Sequence, residues 1–346
     1  MSSVDVIVPC YGYGKFLREC VESVLKQSIQ NVRVLIIDDA SPDETSEVAA
    51  NLVRNDSRVT LVRHTKNKGH IATYNEGIEW ASADYMLILS ADDYLLSGAL
   101  SRAVDLMDAH SEVGFTFGNV IELSDSGTET PVKAVETTDK SHRRILEGLE
   151  FIELSGADVL VATCTAMVRT RLQKRLGGYR RELPHAGDME MWLRFAAHAS
   201  VGFVSAYQGV YRRHSANMST AYYYYTANGR FVYTANGRLP EIQQRKAVFD
   251  YFFETCSDAL PNSERIRRKL FWSLGAMAVG RASAAFNEGE TEVSKQLAEF
   301  ALGVCPHIKR SLGWIKLTCK WRMGPRAWRA LRPAVARIRG GPLEQQ

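Results

Sequence analysis

The chain lacks the cysteine pattern of a zinc site or of a disulfide framework. Its 346 residues include six cysteines, and no two of these form a C-x-x-C pair. Closely spaced cysteines are the usual signature of structural zinc and of small disulfide-bonded domains. We therefore expect free thiols and a reducing compartment, which predicts a cytoplasmic protein.

Long apolar runs are also missing. No stretch reaches the ~18 apolar residues that a membrane-spanning helix needs, because the most apolar one, 271–286, is interrupted by Arg281. The apolar residues 4–8 end at Pro9 and no basic region precedes them, so we expect no secretion signal. Both absences favour a protein that is soluble or rests on a membrane surface.

Two common nucleotide-binding motifs are absent. The segment Gly12-Tyr13-Gly14-Lys15 fails the P-loop pattern at its first glycine and at its last residue. No G-x-G-x-x-G follows a strand-like segment, so the dinucleotide fingerprint is missing as well. These absences argue against a P-loop nucleotidase and a classical dinucleotide-dependent enzyme.

The composition that is present is typical of a globular protein. Hydrophobic residues make up 45% of the chain and charged residues 24%. At ~100–200 residues per domain, the length predicts about two domains. We expect domain boundaries at 1–220, with a first half to about residue 120, then a connecting segment 221–240 and a helical region 241–346. The connecting segment contains a near repeat, at 225–230 and 233–238, to which we assign no role.

Short apolar segments alternate with helical patterns through the first half of the chain. Strands are predicted at 4–8, 32–37, 59–62, 85–89 and 113–117, and shorter ones at 201–204 and 209–211. We expect Ser41 and Ser97 to cap helices and the polar segment 124–140 to be a loop. Strands that alternate with helices of 10–15 residues predict an α/β fold with a parallel sheet.

Acidic pairs follow two of these strands. Asp38-Asp39 follows the second strand, and Asp92-Asp93 follows the fourth. Because ligands bind beyond the carboxyl ends of parallel strands, both pairs are expected at one rim of the sheet. Adjacent carboxylates suit a divalent cation such as Mg²⁺ or Mn²⁺. When read alone, each pair is also compatible with a solvated turn that caps the next helix.

Three further positions are candidates for a ligand site. The loop with Asn67 and Gly69 leads into a helix that contains Asn75, and a helix N-terminus favours an anion. Asp188 begins an amphipathic helix, where capping is the ordinary reading. His214 follows two arginines at a strand end, and it could bind a metal or a phosphate.

The order of these motifs resembles that of the family 2 glycosyltransferases over residues 3–218. The motifs that carry the resemblance are Val6-Ile7-Val8-Pro9-Cys10-Tyr11, Ile37-Asp38-Asp39-Ala40-Ser41-Pro42-Asp43, Asn67-x-Gly69, Ser90-Ala91-Asp92-Asp93, Asp188 with Trp192-Leu193-Arg194, and Tyr211-Arg212-x-His214. The resemblance implies a GT-A-type, Rossmann-like, mostly parallel sheet flanked by helices, followed by a helical C-terminal region. It also implies inverting transfer of a sugar from a nucleotide sugar, and we expect that donor to be a UDP-sugar.

The resemblance assigns roles to individual residues. Asp188 would be the catalytic base. Asp92 and Asp93 of a D-x-D-like motif and His214 would bind Mn²⁺ or Mg²⁺. The residues assigned to the nucleotide sugar are Pro9, Tyr11, Asp38, Asp39, Asn67, Gly69, Asn75, Asp92 and Asp93.

The chain departs from the family pattern at three positions. Ser90 stands where the first acid of D-x-D is common, Gly187 stands before the base, and Tyr74 replaces a common arginine. The chain also lacks Q-x-x-R-W, which marks processive polysaccharide synthases. We therefore expect one sugar to be transferred per encounter, to a glycan or a lipid-linked acceptor, in polysaccharide or cell-envelope synthesis.

The C-terminal tail is strongly basic. Residues 306–346 contain ten lysines and arginines against one glutamate, together with three tryptophans. This composition fits peripheral contact with an anionic membrane, at the inner face of the plasma membrane. It equally fits a helix whose tryptophans pack on the protein, and no motif indicates nucleic-acid binding.

Two other functions are open from the sequence. A non-catalytic glycan- or nucleotide-binding scaffold would be consistent with Ser90 and Gly187. A sugar nucleotidyltransferase is less consistent, because no glycine-rich basic loop follows the first strand.

Overall fold

The computed structural model describes residues 2–135, 143–225, 231–234 and 236–338. The chain divides into two compact units. The first contains the described residues as far as His214 together with Asp258–Leu260, and the second contains the remainder.

Four parallel strands form one side of the sheet in the first unit. They are β1 (Val4–Cys10), β2 (Val32–Asp38), β3 (Val59–Arg63) and β4 (Tyr85–Ile88), and they pair in the order β3-β2-β1-β4. The crossover helices are α1 (Gly14–Leu25), α2 (Thr45–Asn55) and α3 (His70–Trp80). Every residue of β1 and β4 is buried, as expected for strands that are covered by helices on both faces.

The sheet continues with strands of mixed direction. The remaining strands of this unit are β5 (Tyr94–Leu95), β6 (Val113–Ser124), β7 (Glu129–Val132), β8 (Arg143–Leu146), β9 (Met167–Arg169) and β10 (Ser200–Arg213). The helices are α4 (Ala99–Ala109), α5 (Gly148–Ser155), α6 (Thr170–Leu176) and α7 (Gly187–Ala196). β9 is antiparallel to both β4 and β6, whereas β6 and β10 are parallel. The predicted α/β fold with a parallel core is confirmed.

Some local predictions are wrong. The two strands predicted at 201–204 and 209–211 are one strand, β10, which bends through register shifts at 204–209. The predicted loop at 124–140 contains β7, which pairs with β6, although its last residues, 136–140, lie outside the described part. Irregular β pairing depends on the partner strand, so the local pattern does not reveal it.

Neither predicted serine cap is found. The Ser41 hydroxyl accepts the Gly12 N–H at 3.0 Å, and it is the Asp43 carboxylate that accepts the Thr45 N–H at the start of α2. At α4 the capping position is Gly98, in a left-handed conformation with φ of 75°. Ser41 does not cap α2 because its hydroxyl is hydrogen-bonded to Gly12, in the loop after β1. Ser97 does not cap α4 because Gly98 occupies the capping position.

Close approach of α3 to the sheet requires a glycine. A Cβ added at Gly77 would stand 2.3 Å from Cγ2 of Ile7 in β1. The helix therefore lies directly on the strand, and this fixes the loop that precedes α3 near the carboxyl ends of β1 and β2.

The second unit is helical, which confirms the prediction for the C-terminal region. It contains α8 (Arg238–Cys256), α9 (Ser263–Glu288), α10 (Thr291–Val304), α11 (Leu312–Ile338) and a small hairpin of β11 (Tyr223–Tyr225) with β12 (Phe231–Tyr233). α11 is kinked at Gly324, where φ is 77°. No helix in the described residues has both the length and the apolarity to cross a membrane.

Candidate active site

The carboxyl ends of three neighbouring strands meet at one edge of the first unit. The Asp39 N–H donates to the Cys10 carbonyl at 2.9 Å, and the Ala91 N–H donates to the Pro9 carbonyl at 3.3 Å. The ends of β2 and β4 thus flank the end of β1. Both acidic pairs of the sequence therefore lie at this edge.

Asp92 and His214 form a buried pair beside this edge. Asp92 Oδ2 lies 3.1 Å from His214 Nε2, and both side chains are almost fully enclosed. The His214 ring contacts the Tyr13 and Phe16 rings, with centroid separations of 5.4 and 5.2 Å. These aromatic contacts fix the imidazole so that its nitrogen faces the carboxylate.

The donor set of this pair fits a divalent cation. A carboxylate oxygen and an imidazole nitrogen are both ordinary ligands of Mn²⁺ and Mg²⁺, and such ions commonly complete their shell with substrate phosphates and water. The described residues contain no group of three or more His, Cys, Asp and Glu side chains that could hold a metal. A cation at this pair would therefore take most of its ligands from water and from the phosphates of a bound substrate.

Asp93 has a different partner from Asp92. Its Oδ1 accepts the backbone N–H of Arg212 at 2.9 Å. Burial, and then the negative charge of Asp92, raises the pKa of Asp93 well above the usual range of an aspartate. These contacts favour a role in joining β10 to this loop rather than in binding a metal.

Asp39 organises the loop that contains Asn67 and Gly69. Its carboxylate accepts the Lys68 and Gly69 N–H groups at 2.8 and 2.9 Å and contacts His64 Nδ1 at 2.6 Å. The Asn67 side chain also accepts the Gly69 N–H, at 2.9 Å. These hydrogen bonds keep the pKa of Asp39 below the usual range although burial opposes them. The result is a fixed turn at the start of α3.

Other residues assigned to the nucleotide sugar differ in accessibility. Tyr11 is 50% exposed and stands directly after β1. Asp38 is fully buried, where it accepts the Ser41 N–H and pairs with Arg63, and Pro9 is buried within β1. Asn75 is tied to the backbone of Tyr179 by two hydrogen bonds, of 2.7 and 2.9 Å. Of these four, Tyr11 presents the most surface to a ligand.

Asp188 stands in the first turn of α7 and is held by two hydroxyl groups. The Thr163 hydroxyl donates to Asp188 Oδ2 at 2.8 Å, and the Tyr179 hydroxyl also hydrogen-bonds to this carboxylate. Burial raises the pKa of Asp188, and the two hydrogen bonds partly oppose that rise. A carboxylate with a raised pKa is a better proton acceptor than an ordinary surface aspartate.

A buried ion pair fixes α7 against the turn that carries Tyr179. Glu190 and Arg194 form two contacts, of 2.7 and 3.0 Å, and both side chains are almost fully enclosed. Arg194 also donates to the carbonyls of Leu176 and Gly178. Tyr179 is therefore positioned from both sides, by α7 and by Asn75.

Tyr74 lies beside Tyr179, one of the two residues that hold Asp188. Burial is the main cause of the raised pKa of the Tyr74 phenol, followed by the negative charges of Asp188 and then Asp92. Its ring also makes an edge contact with Tyr179, at a centroid separation of 5.2 Å. The negative charges of both acids thus affect the pKa of this one phenol.

No motif in the sequence predicts the residues that position these acids. Thr163 and Tyr179 hold Asp188, while Tyr13 orients His214. Of these residues, only Tyr179 stands at a recognisable sequence feature, because it follows the two turn-forming glycines Gly177 and Gly178. Tyr74 was noted only as a departure from a family pattern.

The family model for "Glycosyl transferase family 2" matches residues 5–176, which include the three strand ends and the Asp92 loop. The chain belongs to this family. The matched range begins in β1 and ends in α6, so Asp188 and His214 follow it in the chain.

Among the relatives of this family 2 chain is an uncharacterized glycosyltransferase of Haemophilus influenzae. The two are 31% identical over 152 residues, which is 44% of this chain and 60% of the relative. Across three of the curated relatives, the matched segments span only 29–60% of each relative's length.

Solved structures support the fold of this family 2 chain. TarS 1–349 of S. aureus in complex with UDP-GlcNAc has a TM-score of 0.64 at 18% identity, with 87% of this chain and 80% of that chain covered. The mannosyltransferase PcManGT of Pyrobaculum calidifontis, in complex with GDP-Man and Mn²⁺, has a TM-score of 0.51 at 17% identity and covers 99% of this chain and 88% of that one.

Proposed function

We propose that the protein is an inverting glycosyltransferase that moves a sugar from a nucleotide sugar to a hydroxyl group. The observation that carries this proposal is the buried Asp92–His214 pair beside the carboxyl ends of β1, β2 and β4, in a chain of this family. Asp92 is paired with this imidazole, and a second acid, Asp188, is held by two hydroxyl groups. Asp92 is thus suited to the leaving diphosphate, and Asp188 is suited to the attacking hydroxyl group.

The donor would bind at the carboxyl ends of β1, β2 and β4. The exposed ring of Tyr11 offers a surface for a nucleobase, and the fixed turn at Gly69 offers the N-terminus of α3 to an anion. TarS was solved with UDP-GlcNAc and PcManGT with GDP-Man. We propose a UDP-sugar as the donor. It would bind to the first half of the transferase domain, about residues 1–120, and we propose that this domain ends near residue 220.

A divalent cation would be held by Asp92 and His214, whose donor atoms fit Mn²⁺ or Mg²⁺. When bound, such an ion would neutralise the charge of the departing diphosphate. Independently of the ion, the burial of Asp92 and the aromatic contacts of His214 keep both groups oriented in the free protein.

Asp188 would act as the general base. Its carboxylate accepts the proton of the acceptor hydroxyl while that oxygen attacks the anomeric carbon from the side opposite the leaving group. No covalent sugar intermediate is needed, so one base is sufficient. General base catalysis of this kind contributes ~10²–10⁴ in rate. The hydrogen bonds from Thr163 and Tyr179 hold the carboxylate in one orientation.

The acceptor would be a glycan or a lipid-linked sugar in polysaccharide or cell-envelope synthesis, met by the part of the domain that follows residue 120. We also propose that the protein works in the cytoplasm and touches the inner face of the plasma membrane through α11. In that helix Leu312 and Ile315 are 73% and 49% exposed, and Lys316 lies exposed beside them. An apolar stripe with flanking cations suits an anionic membrane surface.

The proposal is tested by two substitutions in the full-length protein. Transfer or hydrolysis of UDP-, GDP- and dTDP-sugars is measured with Mn²⁺, and binding of the nucleoside diphosphate is measured by calorimetry. We expect Asp188→Asn to lower turnover by ~10²–10⁴ and to leave nucleotide binding intact. Asp92→Asn should weaken the Mn²⁺-dependent binding itself. Asp105→Asn, at an exposed position on α4, is the matched control and should change neither quantity.

Two results would contradict the proposal. Undiminished binding of Mn²⁺ and nucleotide by Asp92→Asn would remove the metal assignment. A wild-type protein that binds nucleotides but turns over no sugar nucleotide of the panel would favour the non-catalytic scaffold.

A further inference from the structure

His64 is buried between two acidic side chains at the edge where the donor would bind. It follows β3 directly, and only 6% of its surface is exposed. Its Nδ1 lies 2.6 Å from Oδ1 of Asp39, which follows β2, and its Nε2 lies 3.0 Å from Oε2 of Glu76 in α3. The imidazole therefore connects the end of β2 with the helix that begins after the Gly69 turn.

Both carboxyl groups are ionised in this arrangement. Asp39 also accepts the Lys68 and Gly69 N–H groups, and Glu76 also contacts the Lys68 ammonium at 3.0 Å. Burial opposes the ionisation of both acids, but the hydrogen bonds outweigh it and hold the pKa of each carboxyl below its usual range. Both groups therefore stay negatively charged at the pH values where an imidazole titrates.

The contacts of the ring require a proton on each nitrogen. A neutral imidazole has one N–H donor and one bare nitrogen, which can only accept a hydrogen bond. An ionised carboxylate has no proton to donate, so a bare nitrogen this close to Asp39 or Glu76 would meet a second acceptor. The charged imidazolium donates to both carboxylates at once. The two acids favour this form in turn, because nearby negative charge stabilises a cation.

The charges around His64 balance when the ring is protonated. The lysine beside Glu76 already compensates that acid, and the adjacent Asp38 and Arg63 pair with each other at 3.3 Å. Asp39 is only 3% exposed, and the cationic side chain that it contacts is His64. A neutral ring would leave the buried carboxylate of Asp39 without a compensating charge, which is costly inside a protein.

The turn that Asp39 holds is the part of the site that a nucleotide would approach. The carboxylate accepts two successive N–H groups, of Lys68 and Gly69, directly before α3. Gly69 is in a left-handed conformation there, with φ of 84°. Loss of the His64 proton would turn a lone pair towards one of the two carboxylates, so the ring and that carboxylate would separate. The orientation of Asp39, and with it the turn, therefore depends on the charge of the ring.

We propose that His64 is a positioning residue whose positive charge holds Asp39 and the Gly69 turn in the conformation that binds the nucleotide sugar. This inference rests on the proposed glycosyltransferase function. The proton is exchanged with solvent and takes no part in the transfer itself. Affinity for the nucleotide is therefore highest while His64 is protonated, and it falls as the pH rises through the titration of this ring.

The first test observes the ring directly. Heteronuclear NMR of the full-length protein distinguishes protonated from bare imidazole nitrogens, and His64→Gln assigns the signals. We expect a proton on both nitrogens of His64 at neutral pH, and amide signals of Lys68 and Gly69 that shift with the same midpoint as the ring. Glu76→Gln removes one of the two negative partners and should move that midpoint to lower pH.

The second test measures the binding of UDP by calorimetry, without metal, between about pH 6 and pH 9. We expect the wild-type affinity to fall about tenfold over the range in which the ring titrates, because a charge-assisted hydrogen bond to Asp39 or Glu76 is lost. His64→Gln should bind weakly and lack this step. The titration of UDP itself is common to all variants, so the difference between the two proteins isolates His64.

His110→Gln is the matched control. His110 is also paired with a glutamate, Glu112, at 3.1 Å, but its side chain is 43% exposed at the end of α4. This variant should bind UDP as the wild type does at every pH.

Two results would overturn the inference. A bare nitrogen on His64 at neutral pH would show that the ring is not the cation required here. A pH dependence that His64→Gln retains would leave His64 as a structural link only. Turnover of sugar nucleotides tests the proposed function separately. A wild type that turns them over while His64 is neutral keeps the function and loses the inference, whereas a doubly protonated His64 in a protein that binds no nucleotide contradicts both.

Discussion

At the scale of single residues, equivalent sequence patterns lead to different environments. Asp38-Asp39 and Asp92-Asp93 each follow a buried strand, yet the two members of each pair face different partners. Asp92 meets His214, while Asp93 accepts a backbone N–H of β10, and Asp39 accepts two backbone N–H groups of the loop before α3. The sequence predicted that both acidic pairs lie at one edge of the sheet. It could not predict which carboxylates are used by backbone groups from distant segments.

The pH dependence of turnover should report on the hydroxyl groups around Asp188. A base acts in its deprotonated form, so kcat/KM should fall as the pH drops through the raised pKa of Asp188. Thr163 stabilises the carboxylate by hydrogen bonding, so Thr163→Val should raise that pKa further. A hydrogen bond to a charged group is worth ~1.5–3 kcal/mol, which corresponds to about one pH unit or more. The acid limb of the pH–rate profile should shift upward by about that amount.

The matched control for this experiment is Thr163→Ser, which retains the hydroxyl and should retain the wild-type acid limb. Tyr179→Phe should shift the limb in the same direction as Thr163→Val, because it too removes a hydroxyl that stabilises the carboxylate. An acid limb that stays in place in Thr163→Val would show that Asp188 does not determine it.

At the scale of elements, hydrophobic patterning predicted the regular strands and failed at the irregular ones. The strands β1, β2 and β4 are mostly apolar and are buried along nearly their whole length, and such runs are visible in the sequence. β10 is a single strand whose pairing with β6 is interrupted by register shifts, so the sequence predicts two short strands instead. β7 is recognisable only through its pairing with β6.

Gly77 lies at the contact between α3 and β1, so its substitution should change the stability of the protein. Gly77→Ala would place a methyl group 2.3 Å from Ile7 Cγ2, in a fully buried contact between α3 and β1. Overpacking of this kind costs ~1–3 kcal/mol, which exceeds the ~1 kcal/mol that alanine gains over glycine in a helix. We expect a lower free energy of unfolding, measured by chemical denaturation.

Gly280→Ala is the matched control for that substitution. Gly280 is also inside a helix, α9, but a Cβ there meets no atom within 4 Å. This variant should be more stable than the wild type by up to ~1 kcal/mol, from helix propensity alone. If Gly77→Ala is as stable as Gly280→Ala, the close approach of α3 to β1 is not a constraint.

At the scale of the whole molecule, charge is segregated along the chain. The basic tail also contains tryptophans, and two of them form hydrogen bonds within the second unit. The Trp321 indole donates to Ser294 Oγ at 3.1 Å, and the Trp328 indole donates to Asn287 Oδ1 at 2.8 Å. The sequence left open whether these rings face a membrane or the protein, because the partners lie on α9 and α10. Two of the three tryptophans thus pack within the second unit, and the exposed face of α11 consists of other residues.

The exposed face of α11 determines the prediction for membrane contact. Leu312, Ile315 and Met323 are 73%, 49% and 39% exposed, and they recur at helical spacing beside the exposed cations Lys316 and Arg322. Each cation near an anionic leaflet contributes ~1 kcal/mol. We therefore expect the full-length protein to sediment with vesicles that contain phosphatidylserine, more weakly at high salt, and little with pure phosphatidylcholine.

Substitution of the apolar stripe makes this expectation specific. The double variant Leu312→Gln, Ile315→Gln keeps every charge and every tryptophan contact but removes apolar area, which is worth ~1.5–3 kcal/mol for each side chain when fully buried. We expect at least about tenfold weaker vesicle binding. Leu154→Gln changes a leucine of α5 that is 47% exposed, and it should bind vesicles as the wild type does. If the double variant binds as tightly as Leu154→Gln, the apolar stripe does not enter the bilayer and α11 is only a solvated basic helix.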